Sequence, residues 1–353
     1  MKRVSMVLVL SALMLTALPT SPVMAQDGRS YLPVIAPRGS AVTSLGTELS
    51  AMLRDRHGRY WFVSNGNGVY RRDGASLVRF TVRDGLLSDF ILSVQEDVRG
   101  DLWFGTREGL CRYNGLTFSD YSDTVARAPR GTIRYRSGGL FFPHRDGVCY
   151  YDGTSFTNIV YHADTLRHRY GTMARPFSVY STVVDRSGIV WFGTQEKGVC
   201  RFNGTTYTYL TEKGLAGPAV RTVFQDSRGT MWFGNNGRGL FRYDGKRLVN
   251  VTDEKGLENP EYLKTGRLDG PPGTLSRVWA VNEDDDGVLW IGTIDNGLWK
   301  YDGTTLTNYT VKEGLPGNAV WSIYKDRGGV LWFITNGNAV SRFNGRTFVP
   351  FPN

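Results

Sequence analysis

GVLWIGTIDNGLWKYDG, residues 287–303, is the clearest copy of a sentence that this chain repeats, and GDLWFGTREGLCRYNG (100–115) and GTMWFGNNGRGLFRYDG (229–245) are two others. Its anchors are Trp61, Trp103, Trp191, Trp232, Trp290 and Trp332, with Phe141 standing in for one missing tryptophan. The anchors recur at spacings of 42, 38, 50, 41, 58 and 42 residues. Each unit also carries an Asp-Gly or Asn-Gly pair, at Asp73, Asn114, Asp152, Asn203, Asp244, Asp302 and Asn344, where glycine supplies the positive φ of a tight hairpin. Units of this length, rich in strand formers and punctuated by such turns, predict an all-β fold: a single seven-bladed β-propeller of four-stranded antiparallel blades over residues 48–353.

Alternation along LWFG places Trp103 and Gly105 on one side of the strand and Phe104 on the other. A large indole beside a glycine suits two twisted sheets packed face to face, the ring filling space and the glycine admitting the next blade. The third-strand cations Arg72, Arg112, Arg201, Arg242, Lys300 and Arg342 recur as regularly, and are expected to serve the blade by pairing with turn aspartates. Cys111, Cys149 and Cys200 occupy one motif position in successive units, too far apart for a disulfide, and are read as buried thiols.

Residues 1–25 have the pattern of a secretory signal peptide: Lys2 and Arg3, an apolar run from Val7 to Leu18, and Val23-Met24-Ala25 before the cut. Residues 26–47 form an N-terminal extension, in which Tyr31–Ile35 is expected to add an outer strand to a blade. Mean hydropathy is −0.29, and no later stretch has the roughly 18 apolar residues of a membrane helix. The expectation is a monomer without membrane insertion, exported to the periplasm or secreted, and for that reason not a nucleic-acid binder despite a formal charge of +9.

The string GLPGNAVWSIYKDRGGVLWF (314–333), followed by NGNAVSRFNG, resembles the two-component regulator propeller repeat. Five good copies make blades 2, 4, 5, 6 and 7, blade 1 is recognisable, and blade 3 is degenerate. The resemblance implies a propeller of the kind that perceives extracellular signals, often glycan-derived, for bacterial hybrid histidine kinases. The sequence ends at Asn353, after the seventh unit, so what carries over is the fold and a tendency to bind, without phosphotransfer.

Function is then sought where the units differ. Small residues align in the first strands at Ala51, Ser93, Ser181, Thr222, Ala280 and Ser322, while the residue before each varies: Leu92, Tyr180, Arg221, Trp279 and Trp321. Near a channel mouth, Tyr180, Arg221, Trp279 and Trp321 would stack on sugar faces and bond hydroxyls or carboxylates; the alternative is that they pack between blades. Two insertions, Tyr161–Phe177 and Glu258–Ser276, fall on the same face. Residues 125–175 hold eight arginines against three aspartates, and Arg134, Arg167, Arg169 and Arg175 are read as steering a glycan or other anionic polymer.

The sequence supplies no catalytic constellation, so no enzyme is expected. His162 and His168, beside Arg167 and Arg169, are the best catalytic candidates should the chain be a polysaccharide lyase or hydrolase. Asn282, Asp284 and Asp286 mimic the start of a calcium loop, but Thr293 stands at position twelve, and an acidic turn is the reading. No cofactor, metal or phosphate loop is expected. The leading function is a non-catalytic binding or sensory propeller working with a separate membrane partner; the alternative is a protein-interaction scaffold in the cell envelope.

Overall fold

The structure is a computed structural model, and describes residues 39–144, 147–159, 178–266, 272–337 and 339–352. Residues 1–38, which include Tyr31–Ile35, and the whole of the first insertion lie outside the described residues. Among those described, the strands form seven antiparallel sheets in chain order. Blades 2, 4, 5, 6 and 7 each have four strands in sequential order, blade 1 has five and blade 3 has three.

The fifth strand of blade 1 is Ser40–Ala41, paired outside Ser76–Phe80, a segment other than the Tyr31–Ile35 expected from the sequence. Blade 3 consists of Leu140–His144, Gly147–Tyr151 and Phe156–Ile159. Where its first strand would run, the chain instead forms a short helix, Ser122–Arg127, and a loop.

One hydrogen-bonded unit explains the repeat. In six blades an aspartate ending the first strand accepts the indole N–H of the tryptophan six residues on, at 2.8 to 3.0 Å: Asp55 with Trp61, Asp97 with Trp103, Asp185 with Trp191, Asp226 with Trp232, Asp284 with Trp290 and Asp326 with Trp332. The other carboxylate oxygen accepts backbone N–H groups two and four residues on, as Asp226 does from Arg228 (2.9 Å) and Thr230 (2.8 Å). One side chain thus shapes the first hairpin turn and fixes the indole.

The third-strand cation completes the unit, but differently from the sequence expectation. Arg71, Arg112, Arg201 and Lys300 lie over the tryptophan of their own blade, 5.7 to 5.8 Å from its centroid. In blade 1 the strand register sets Arg71, not Arg72, opposite Trp61. Among these cations the structure records a turn-aspartate pair for Arg112, with Asp101. Stacking on the ring holds the others, because the π face attracts the guanidinium while its stem covers apolar surface.

Blade 3 loses the aspartate, tryptophan and cation together. Tyr135, Phe141 and Tyr150 take their places and pack as rings, with centroids 6.2 Å apart for Tyr135 and Phe141 and 4.9 Å for Phe141 and Tyr150. A polar unit has been exchanged for an aromatic one as a set, which leaves no half-satisfied member buried.

Neighbouring blades join by the anchor ring packing on the next blade's second strand. Trp61 meets Phe104 at 6.1 Å, Trp103 meets Phe142 at 5.7 Å and Trp290 meets Phe333 at 5.3 Å. The glycine two residues after the anchor admits the next blade: a Cβ on Gly193 would lie 2.6 Å from the Val220 carbonyl oxygen, and one on Gly234 would lie 2.6 Å from a Val278 methyl. The ring closes in the same way. Trp332 and Ile334 of blade 7 share a core with Met52 and Phe62 of blade 1, Tyr60 Oη donates to Asp326 (2.8 Å), and Phe351 packs on Tyr60, Phe62 and Trp332. Cys111, Cys149 and Cys200 are free and buried, and burial pushes their thiols up.

Asp226→Ala strands the Trp232 indole and two turn amides, and is expected to lower unfolding free energy by about 2–4 kcal/mol in a denaturant titration. Burial by itself would raise the Asp55 and Asp326 carboxyls. Hydrogen bonds from Trp61 and Arg59 to Asp55, and from Trp332 and Tyr60 to Asp326, outweigh burial and hold both below the usual value. Their stabilisation is therefore complete above the unfolded value and is lost as pH falls through the folded one. The melting temperature should be level above about pH 5 and fall below about pH 4, and Asp55→Asn with Asp326→Asn should make that fall shallower.

Candidate functional site

In six blades the register between first and second strands skips one residue: between Leu49 and Ala51, Ile91 and Ser93, Val179 and Ser181, Val220 and Thr222, Val278 and Ala280, and Val320 and Ser322. The skipped residues are Ser50, Leu92, Tyr180, Arg221, Trp279 and Trp321. The variable position of the sequence is thus a bulge, and a bulge re-aims its side chain without disturbing the strand on either side. The blades hold a constant frame and present a different residue at one point of it.

Four of these residues form a continuous row across blades 4 to 7. The Arg221 guanidinium lies between two rings, 3.9 Å from the Tyr180 centroid and 4.6 Å from that of Trp279. Trp279 meets Trp321 edge to face at 5.3 Å. Supports lie behind the row: Tyr180 Oη donates to Gln195, and Trp279 Nε1 donates to Asn236 at 2.9 Å. Asn236 also accepts from Arg277 Nε (3.3 Å), and Arg277 is held by Asp295 (3.6 Å) and stacks on Tyr262 at 5.0 Å.

Arg221 is half-buried, no salt bridge joins it to an acid among the described residues, and its Nε has no hydrogen-bond partner. Burial pulls its pKa below the usual arginine value, and the neighbouring groups that act on it are Tyr180, Tyr262 and a second cation, Arg277. The row therefore offers two aromatic faces and a positive charge that no acid among the described residues pairs.

In front of it lies a cavity of about 900 Å³, reaching from Tyr180, Arg221 and Trp279 to Ser50 and Leu92 and on to Phe142, Pro143 and Asn158 of blade 3. The missing first strand of blade 3 makes this space. Gly105 of blade 2 shows it directly: a Cβ there would meet Ser93 of its own blade, with no valine of a next first strand against it.

The inner edge of blade 3 is blunted. Gln95 Nε2 donates to the Phe141 carbonyl at 2.9 Å, so that carbonyl faces inward. Alternation then turns Pro143 the same way, where it has no N–H to give. An added peptide strand would find one acceptor taken and one donor absent.

Arg134 is elsewhere. It is exposed, in a cavity of about 480 Å³ beside Ser187 and Gly188, in the turn between the first two strands of blade 4, and Asn203 and Gly204, in the turn between its last two. Both turns lie at the strand ends opposite the bulges, so the structure separates Arg134 from Tyr180, Arg221, Trp279 and Trp321. Arg167, Arg169, Arg175, His162 and His168 lie outside the described residues. Of the basic stretch, Arg127 pairs with Asp123 at 3.2 Å, Arg136 with Asp152 at 3.7 Å, and Arg130 lines the large cavity. Asp284 is the clasp of Trp290, and Asn282 Nδ2 donates to the Ile323 carbonyl at 3.1 Å, so the calcium-like turn is engaged in the blade.

Sequence reasoning missed Asn158, Pro143, Asn236 and Tyr262. Tyr262 lies in the second insertion, on a short helix (Pro260–Thr265) capped by Asn259. A capping Asn before Pro was a legible helix start. Nothing in the sequence marks Asn158, whose Nδ2 donates to the Val125 and Ala128 carbonyls at 2.8 and 3.1 Å.

The family described as two component regulator propeller matches four segments, residues 85–108, 214–237, 273–295 and 314–337. No curated protein matches the sequence. Among solved structures, the extracellular domain of a putative hybrid two-component system from B. thetaiotaomicron is 21% identical with a TM-score of 0.62, over 82% of this chain and 38% of that one. The extracellular domain of a putative one-component system from the same organism is 20% identical with a TM-score of 0.57, over 88% and 40%. PorZ, a bacterial surface component of the type-IX secretion system of Porphyromonas gingivalis, is 18% identical with a TM-score of 0.58, over 87% and 48%. The chain spans about two fifths of the length of the two extracellular domains. Among the described residues no helix is long and apolar enough to cross a membrane.

The edge-to-face contact of Trp279 and Trp321 should couple their transitions and give an exciton couplet in circular dichroism. Trp321→Phe should remove the couplet and Trp299→Phe should leave it; a couplet that survives Trp321→Phe would show that the row is not assembled in solution.

Proposed function

Since the chain carries two-component regulator propeller repeats, we propose that it is a non-catalytic sensory propeller that takes an acidic glycan at the channel mouth and relays its presence to a separate membrane or envelope partner. The observation that carries this reading is the Tyr180, Arg221 and Trp279 stack: a half-buried cation with no counter-ion among the described residues, held between two rings and beside a large cavity. Aromatic rings stack on the C–H faces of sugars, and a guanidinium of fixed orientation takes a carboxylate on two N–H groups. The signal-peptide pattern of residues 1–25 supports action outside the cytoplasm, where such ligands occur.

Relay would use the rim around the mouth. Tyr262 of the second insertion stacks on Arg277, and Arg277 shares the Asn236 side chain with Trp279, so a ligand that moves Trp279 acts on that insertion through Asn236.

Thermal unfolding with oligogalacturonate and with neutral oligosaccharides, at low and moderate salt, tests the reading. A ligand at about 100 times its dissociation constant adds about 2.7 kcal/mol to stability. The expected result is a salt-sensitive upward shift with the acidic sugar that disappears in Arg221→Ala. Equal shifts with neutral sugars, or a shift that survives Arg221→Ala, would contradict it.

A further inference from the structure

We propose that Arg107, on the rim of blade 2, is a second acid-binding position of the same cavity, so that the ligand is an oligomer with carboxylates on at least two of its sugar units. This rests on the acidic-glycan reading above and adds to it how many acids the site reads and from which side.

Beside the bulges lies a second repeated position. In six blades the residue that follows the second strand gives its N–H to the carbonyl of the residue two before the bulge: Asn65 to Glu48, Arg107 to Phe90, Gln195 to Ser178, Asn236 to Ala219, Ile294 to Arg277 and Asn336 to Ala319, at 2.8 to 3.2 Å. The backbone is therefore constant here while the side chain varies, as it does on the bulges. Two of these side chains are spent on the row, since Gln195 accepts from Tyr180 and Asn236 from Trp279. In blade 2 the place belongs to an arginine, and the bulge residue of that blade, Leu92, has nothing to bond it.

Arg107 is exposed and lies over the Phe90 ring, 4.4 Å from its centroid. Phe90 is itself seated between blades, bridged to Asn65 of blade 1. Ring and backbone together hold the guanidinium flat on one face, which leaves its donor edge available for a carboxylate. No salt bridge joins it to an acid among the described residues. This is the device of Arg221 repeated with one ring in place of two.

Both arginines line the one cavity, and among its described lining residues Arg107, Arg130 and Arg221 stand against a single acid, Glu108. Three cations less one acid leave an excess of two positive charges facing that space. Blades 2 and 5 are three apart in the ring of seven, as far across as two blades can be. One carboxylate cannot meet guanidinium groups on opposite sides, so a single uronate leaves one of them with water alone. A chain of uronate units answers both, and Ser50, Asn65 and Ser93 on the same lining suit the hydroxyls it carries.

Calorimetric titration of galacturonate oligomers of two to six units against the protein, Arg107→Ala and Arg134→Ala tests this. Arg107 is exposed, so its replacement opens no core, and Arg134→Ala removes the same charge at the opposite end of the strands. In the unaltered protein, affinity should rise about tenfold or more at one step of length, where a second carboxylate reaches Arg107. Arg107→Ala should abolish that step and leave the dimer binding as before, while Arg134→Ala should keep the step. The inference is overturned if affinity climbs evenly with length, if the step survives Arg107→Ala, or if both variants weaken every oligomer alike; binding that is still lost in Arg221→Ala would then leave the acid-sugar reading standing. If no oligomer binds, both are overturned.

Discussion

The architecture depends on a carboxylate that accepts an indole N–H. In six blades one aspartate oxygen takes the tryptophan and the other takes two backbone N–H groups of the turn. A buried indole N–H left without a partner would cost about 1–3 kcal/mol in each blade. With the partner, the ring is fixed at the blade surface, where it meets the next blade. The cation over the ring and the glycine two residues on are consequences of that placement, since one covers the indole and the other clears the way for the next first strand. Because each blade packs chiefly on its neighbours, repeating the clasp extends the sheets until blade 7 meets blade 1.

The frame also explains how a site can vary while the fold does not. The bulge in each first strand lies within a ladder fixed on both sides, so the residue on it is free of the packing that constrains its neighbours. Serine, leucine, tyrosine, arginine and tryptophan are all accommodated there. The departure of blade 3 from the pattern belongs to the same logic. Once aspartate, tryptophan and cation are replaced as a set by Tyr135, Phe141 and Tyr150, the blade holds together by ring packing and can do without a first strand. The cavity is the space that strand would fill.

Much of this was legible in the sequence because the repeat reports on local geometry. Tyr180, Arg221, Trp279 and Trp321 were found by aligning units, since a position that varies amid constant neighbours stands out. Closure of blade 7 by its own last strand was readable from the spacing as well, and the strand is Phe348–Pro350. Two readings differ from the structure, for different reasons. Arg134 was read from the charge of its neighbourhood as steering an anionic polymer, and charge along the chain does not say which end of the strands carries it; the segment runs at the end opposite the bulges. Arg72 was counted among the third-strand cations, but Arg71 is the residue three before the turn glycine, as Arg201, Arg242 and Lys300 are in their blades, and Arg71 lies opposite Trp61. Asn158 matters for what is absent beside it, and no local pattern records an absent strand.

The tryptophans themselves offer the most direct test that ligand is read at the bulges. The chain has nine, of which six are clasped to aspartate, while Trp279 and Trp321 stand on bulged positions. In a ¹⁵N-indole spectrum titrated with oligogalacturonate, the account predicts shifts in the Trp279 and Trp321 resonances and constancy in the six clasped ones. Shifts confined to the clasped tryptophans, or an unchanged spectrum at saturating sugar, would contradict it.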